Sequence, residues 1–257
     1  MCSTHLRHIA VVIPAYQEER LLPRTLASLP EFIQTVVVVD DASNDRTREV
    51  ALEFAASVSA DEKRVCVMSL QKNSGVGRAI CIGYLQALAM GAEVAVVMGA
   101  DAQMDPRELP SLVNALHGRV MYVKGERMSH PQVRERMPLA RYWGNYWLSL
   151  ITGLLSGHRE LVDAQCGYTA IDLSYLCDLP LTRLYPRYGF PNDLLIRIYE
   201  LGGQVNQVPV TPIYDTEVSS LSIPRVIFPL LGLFTRALCR RLSLRRVFRR
   251  QKGGPSV

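Results

Sequence analysis

Four short runs of strand-forming residues, separated by stretches long enough for a helix, constrain the fold of this chain more than any other feature of its sequence. His8 to Ile13 is a β-branched run stopped by Pro14, and Thr35 to Val39 closes on Asp40 and Asp41. Arg64 to Leu70 precedes Asn73-Ser74-Gly75-Val76-Gly77, and Glu93 to Met98 halts at Gly99, just ahead of Asp101. Apolar runs of this length read as buried strands. Helices are expected between them, from the Ala15 to Glu19 stretch to about Leu29, from the Asp45 turn to about Ala60, and from Asn73 to about Met90. Such alternation predicts an α/β fold, a parallel sheet with helices on both faces. Ligands of such sheets bind outside the carboxyl ends of the strands, which gathers Pro14 to Glu18, Asp40 and Asp41, Asn73 to Gly77, and Asp101 to Asp105 on one edge.

The fourth run delivers Asp101-x-Gln103 to that edge. A hard divalent cation takes oxygen ligands, and two such side chains two residues apart on extended backbone can share one ion with a phosphate-bearing substrate. Asp101 and Asp105 also suit an ordinary strand-end turn. Other nucleotide motifs are missing. The loop after the first strand, Pro14-Ala15-Tyr16-Gln17-Glu18-Glu19, has no glycine for a dinucleotide fingerprint, and no Gly-Lys-Ser/Thr of a P-loop occurs.

Charge divides the chain in two. After Glu217, its last acidic residue, come Arg225, Arg236, Arg240, Arg241, Arg245, Arg246, Arg249, Arg250 and Lys252. Setting those nine aside leaves 20 of the 29 basic residues against 24 acidic ones, so a mildly acidic body carries a strongly basic tail. An anionic surface is the expected partner. The six cysteines show no Cys-x-x-Cys spacing and read as reduced core residues of a cytosolic protein, without a disulfide framework or zinc site. No run of 18 apolar residues and no signal-peptide pattern is found, so no spanning helix is expected.

The motifs now in hand are Ile13-Pro14-Ala15-Tyr16-Gln17-Glu18-Glu19, Val38-Val39-Asp40-Asp41-Ala42-Ser43-Asn44-Asp45-Arg46-Thr47, Asn73 to Ala79 with Gly83, and Gly99-Ala100-Asp101-Ala102-Gln103-Met104-Asp105-Pro106. In order and spacing, over roughly residues 8 to 215, the chain resembles the inverting family 2 glycosyltransferases, in the branch of the dolichyl-phosphate mannose and polyprenyl-phosphate glucose synthases. The resemblance implies a GT-A type domain over residues 1–220 with a basic amphipathic segment over 221–257. It implies nucleotide-sugar contacts from Pro14, Tyr16, Glu18, Val39, Asp41, Gly99, Ala100, Asp101 and Arg127, and a Mg²⁺ or Mn²⁺ ion on Asp101 and Gln103. The family often has an aspartate where this chain has Gly99. Arg127 and Arg141 match the two arginines that face phosphate groups in this branch, a task suited to a bidentate guanidinium.

Further along, residues 139–156 form an apolar, aromatic helix that in the family lies beside the acceptor; by composition it is equally a plain core helix. Asp163-Ala164-Gln165-Cys166-Gly167-Tyr168 resembles the family's Asp-x-Gln-x-Gly-Phe signature. Gly189-Phe190-Pro191-Asn192-Asp193 opens another helix, with Asn192 replacing the first member of a frequent acidic pair and Asp193 suited either to catalysis or to a helix N-cap. Val208 to Val210 resembles the last strand, and Tyr214 to Ser220 the loop that closes over the donor. That loop lacks the basic residue typical of mannose-transferring members, which leaves UDP and GDP sugars both open.

The implied reaction is inverting transfer of a sugar from a nucleoside-diphosphate sugar to a polyprenyl phosphate. A phosphate acceptor, with a second pKa of about 6, needs positioning more than deprotonation. A hydroxyl acceptor would need Asp193 or Asp163 as base. The tail fits either a peripheral anchor on the inner, cytoplasmic face of an anionic membrane or a helix docked on the domain. A nucleic-acid partner is not expected, because the body is acidic and the tryptophans give no stacking platform.

Overall fold

The computed structural model describes residues 7–59, 61–133, 137–158, 160–213 and 230–240. Seven strands, β1 (Ile9–Ala15), β2 (Thr35–Asp40), β3 (Arg64–Ser69), β4 (Val94–Val97), β5 (Val120–Glu126), β6 (Thr169–Asp172) and β7 (Gln204–Pro209), form one sheet in the order β3-β2-β1-β4-β6-β5-β7. β1, β2, β3 and β4 run parallel, as expected. β6 enters antiparallel between β4 and β5, setting Val97 beside Thr169 and Thr169 beside Lys124. The sheet is thus mixed and mostly parallel.

The central strands are buried on both sides, and their pleat divides them between two cores. Val12, Val37 and Ala95 face one cluster, with Tyr84 of α3 (Val76–Ala89). Val11, Val36 and Val96 face the other, with Leu22 and Leu26 of α1 (Leu22–Ala27) and Leu109 and Leu112 of α4 (Leu109–Asn114). Complete burial of such a side chain contributes about 1.5–3 kcal/mol, so this strand center anchors the fold. On α3, Gly83 is required by close approach: a Cβ there would lie 2.2 Å from Val12 Cγ1.

Three helical expectations change. α1 starts at Leu22 rather than near Ala15, because the amides of Gln17, Glu18 and Glu19 bond to Ser43, Thr47 and Asp45 respectively instead of entering a helix. The next helix, α2, spans Thr47–Ser57 and ends short of the expected Ala60, because Val58 turns to extended backbone. α3 starts at Val76, since Ser74 and Gly75 are held by Asp41 and Gly75 takes a positive φ of 95°. Helices α5 (Leu139–Ser156) and α6 (Phe190–Glu200) lie where expected.

A last helix, α7, spans 230–240 and packs Leu233 and Ala237 against Ile196 of α6 and Leu155 of α5. Arg240 bonds Glu200 at 2.9 Å. This part of the tail is docked on the domain. The expected loop Tyr214 to Ser220 and the basic residues after 240 lie outside the described residues. Cys81 and Cys166 are buried, whereas Cys177 and Cys239 are exposed, which corrects their reading as core residues.

Candidate active site

The loops beyond β1 and β2 are laced together. Asp41 N–H donates to Ala15 O at 2.9 Å, Gln17 N–H to Ser43 Oγ at 3.0 Å and Glu18 N–H to Thr47 Oγ1 at 2.8 Å. The Asp41 carboxylate accepts from the amides of Ser74 at 2.6 Å and Gly75 at 2.7 Å, so it also fixes the loop that enters α3. Among the described residues, the non-glycine positive φ values fall at Gln17 (59°), Ala42 (62°) and Ala102 (54°). Each lies just past the carboxyl end of a strand in the β1, β2, β4 set. Left-handed backbone at such residues is disfavoured and concentrates at working sites.

Around these loops Tyr16 is exposed and Glu18 half-buried, while Asp41 is buried. Val39 is fully buried in the core, so its contact with a base would run through the main chain. Ala100 is likewise buried. Sequence reasoning missed Thr25, whose buried hydroxyl donates to Ala100 O at 3.2 Å and accepts from Ala102 N–H at 3.1 Å.

Asp101 sits half-buried in this turn, its Oδ1 accepting from Gln103 N–H at 3.1 Å. Burial pushes its pKa up, against the Gln103 amide and the positive fields of Arg141 and Arg127. A Cβ on Gly99 would lie 2.8 Å from Asp101 Oδ1, so the carboxylate folds back over a position only glycine leaves open. A desolvated carboxylate and an amide oxygen two residues apart are a hard donor pair and fit Mg²⁺ or Mn²⁺. Among the described residues no group of three or more His, Cys, Asp or Glu side chains could hold an ion. The remaining ligands would therefore come from substrate phosphates and water. Asp105 turns away and pairs with Arg107.

Across the edge stands Arg127, immediately after β5. Its Nε and Nη2 donate to Asp163 Oδ2 at 2.8 Å and Oδ1 at 3.3 Å, a two-pronged pair. Asp163 is fully buried and also accepts from the amides of Gln165 and Cys166. Burial alone would raise its pKa, but Arg127, Lys124 and the backbone bonds outweigh that and hold the carboxyl below its usual range. Lys124, also unflagged in the sequence, is fully buried and donates to Cys166 O; burial brings its pKa down to about 8. Arg141 is half-buried near the start of α5, close enough to act on Asp101. A cavity of about 410 Å³ is lined by Met128, His130, Val133 and Tyr142, residues that include the sequence neighbours of Arg127 and Arg141.

α5 is turned inside out. It buries Asn145, Ser149, Thr152 and Ser156, a polar stripe at helical spacing, and exposes Trp143 (54%), Trp147 (56%), Leu150 and Leu154. Ser149 Oγ accepts from Ala164 N–H, while Asn192 bonds both Thr152 Oγ1 and Gln165 Nε2. A plain core helix would show the reverse pattern. Asp193 is not an N-cap: Gly189 holds that place, and the carboxylate accepts from Tyr185 N–H at 2.9 Å with Arg197 and Arg240 each 3.8 Å away. Its desolvation raises its pKa. Asp193 thus helps seat α7 through Arg240.

A mixed, mostly parallel sheet with one antiparallel strand at this point and an Asp-x-Gln turn at its edge defines the GT-A class of glycosyltransferase. Residues 10–176 match the model for glycosyl transferase family 2, and the chain belongs to that family. The chain is 30% identical to the UDP-N-acetylglucosamine–dolichyl-phosphate N-acetylglucosaminyltransferase of Methanococcus voltae, over 82% of this chain and 87% of the relative. It is also 30% identical to the undecaprenyl-phosphate mannosyltransferase of Micrococcus luteus, over 79% and 82% respectively. Among solved structures it is similar to the glucosyl-3-phosphoglycerate synthase of Mycobacterium tuberculosis crystallised with Mn²⁺, UDP and product. That likeness has a TM-score of 0.61 and 19% identity, and covers 92% of this chain and 79% of the other.

Proposed function

We propose that the protein transfers a sugar, with inversion, from a UDP- or GDP-linked donor to a polyprenyl phosphate at the surface of a membrane, using Mg²⁺ or Mn²⁺. The observation that carries this reading is the meeting of Asp101 with the fields of Arg127 and Arg141, one anionic and two cationic groups around one edge. Relatives named for dolichyl- and undecaprenyl-phosphate acceptors support the acceptor class.

In this reading Pro14, Tyr16, Glu18, the Val39 main chain and Asp41 bind the nucleoside, with Gly99 and Ala100 along the ribose and diphosphate. Asp101 and Gln103 hold the ion, which supplies Lewis-acid stabilisation of charge on the departing diphosphate. Arg127, aimed by Asp163, neutralises phosphate at the point of transfer, and Arg141 holds the acceptor phosphate. A phosphate oxygen attacks the anomeric carbon while the bond to the donor diphosphate breaks, so the acceptor gains the sugar and the nucleoside diphosphate leaves with the bonding electron pair. The acceptor is already ionised at neutral pH, so no general base is required. Asp163, committed to Arg127 and two amides, suits positioning rather than proton removal.

The exposed aromatic face of α5 supports membrane contact, since Trp and Tyr favour the headgroup level of a bilayer. The basic residues beyond α7 add attraction to anionic lipid. The reading makes residues 1–220 together with docked α7 the catalytic unit, and puts the enzyme on the inner face of the membrane. No helix among the described residues is long and apolar enough to cross it. The test is transfer from radiolabelled UDP-N-acetylglucosamine, UDP-glucose or GDP-mannose to undecaprenyl phosphate, with undecaprenol as the control acceptor. Lipid-linked product with the phosphate alone is expected; product with the alcohol alone would overturn the acceptor assignment.

A further inference from the structure

We propose that Thr25 is the positioning residue of the metal-binding turn, an inference that rests on reading Asp101 and Gln103 as the ion's ligands. Thr25 lies on α1, remote in sequence from the turn, and its side chain is almost fully buried. Its single hydroxyl does two things at once, donating to Ala100 O and accepting from Ala102 N–H. Those two groups bracket Asp101. The clamp therefore fixes the peptide units on both sides of the candidate ligand and holds Ala102 in its disfavoured left-handed conformation.

A hydroxyl is the smallest group that can satisfy a carbonyl and an amide together. Serine preserves both bonds, whereas valine has nearly the shape of threonine and preserves neither. The clamp also suits the glycine at 99, because the Asp101 carboxylate it sets in place occupies the space a side chain there would fill. Since α1 directly follows the loop tied to Ser43, Asp45 and Thr47, Thr25 joins the nucleoside-binding loops to the metal turn.

The experiment measures Mn²⁺ binding by the paramagnetic resonance signal of the free ion, with UDP and separately with GDP. Wild type, Thr25→Ser, Thr25→Val and Thr25→Ala are compared, with circular dichroism melts as the folding control and farnesyl phosphate binding as the readout for the acceptor arginines. Losing a group that orients a metal ligand typically weakens binding about 10–100-fold. We expect at least a tenfold rise in the Mn²⁺ dissociation constant for valine and alanine, less than about threefold for serine, and unchanged farnesyl phosphate binding throughout. The alanine variant keeps the test alive should valine fail to fold. Wild-type affinity in a folded valine or alanine variant would overturn the positioning role, as would equal loss in serine. Wild-type protein that binds no Mn²⁺ with either nucleotide would overturn the metal assignment itself.

Discussion

The β1–β4 side of the sheet and the β5–β7 side hold their polar groups in different ways. On the first, short bonds between neighbouring loops do the work: Ser43, Asp45 and Thr47 hold the backbone after β1, and Asp41 holds the backbone before α3. Its carboxylates Asp41, Asp45 and Asp101 accept from backbone amides. On the second side, charge is buried outright: Asp163 and Lys124 are fully enclosed, and Arg127 keeps only 15% of its side chain exposed. A buried group loses its water and must be compensated by the protein, so this side depends on partners far apart in sequence. The first side can lose a ligand and remain folded; the second cannot lose a charge without losing order.

The largest effect is expected from Asp101→Ala, which should lower the turnover number about 10³-fold or more while leaving the melting temperature within a few degrees. Steady-state transfer assays and thermal melts check this, and a collapse of the fold would erase the contrast between the two sides. Asp163→Asn should behave differently. It strands Arg127 and Lys124 without their counter-charge, so urea denaturation should show a loss of about 3 kcal/mol or more alongside at least a tenfold fall in turnover. Stability equal to wild type would show that the buried cluster is not held by charge.

A milder contrast lies on α5. The double variant Trp143→Ser/Trp147→Ser removes side chains more than half exposed, so stability should change by less than about 1 kcal/mol. Sedimentation with vesicles containing anionic lipid should nevertheless fall about tenfold or more. Unchanged sedimentation would leave lipid contact to the basic tail alone.

The smallest effect concerns Lys124. Burial favours its neutral form, with a pKa of about 8 against an ordinary lysine value of 10.5. Between those values the unfolded chain binds the proton that the folded chain has released, so stability from this group rises with pH across that window and is least below about pH 8. Urea midpoints from pH 7.5 to 9.5 should therefore rise more steeply in wild type than in Lys124→Met. Parallel slopes would mean that Asp163 keeps the lysine charged throughout.

The same contrast explains what could be read from the sequence. β1, β2 and β4 were legible because both faces of these strands are buried, and a run such as Thr35-Val36-Val37-Val38-Val39 has no other stable use. Asp101 and Gln103 stood out as candidate ligands because two oxygen-bearing side chains two residues apart lie within one motif. Thr25 did not, because its partner turn is some 75 residues away and a lone threonine on an apolar helix looks like any other. Lys124 drew no reading at all, because nothing local marks it as enclosed. The polar stripe Asn145, Ser149, Thr152 and Ser156 was present at helical spacing, but the aromatic residues between them drew the eye to the face that is in fact exposed. The starts of α1 and α3 were misplaced for a related reason: side chains from a neighbouring loop claimed amides that a helix would otherwise have used.

The division of labour between the two sides is tested most directly by calorimetric binding of Mn²⁺–UDP, Mn²⁺–GDP and farnesyl phosphate to wild type, Asp101→Ala and Arg141→Ala. The expected pattern is crossed: Asp101→Ala loses the nucleotide bound by wild type and keeps the prenyl phosphate, whereas Arg141→Ala keeps the nucleotide and loses the prenyl phosphate. Loss of the same ligand in both variants would contradict a donor side and an acceptor side.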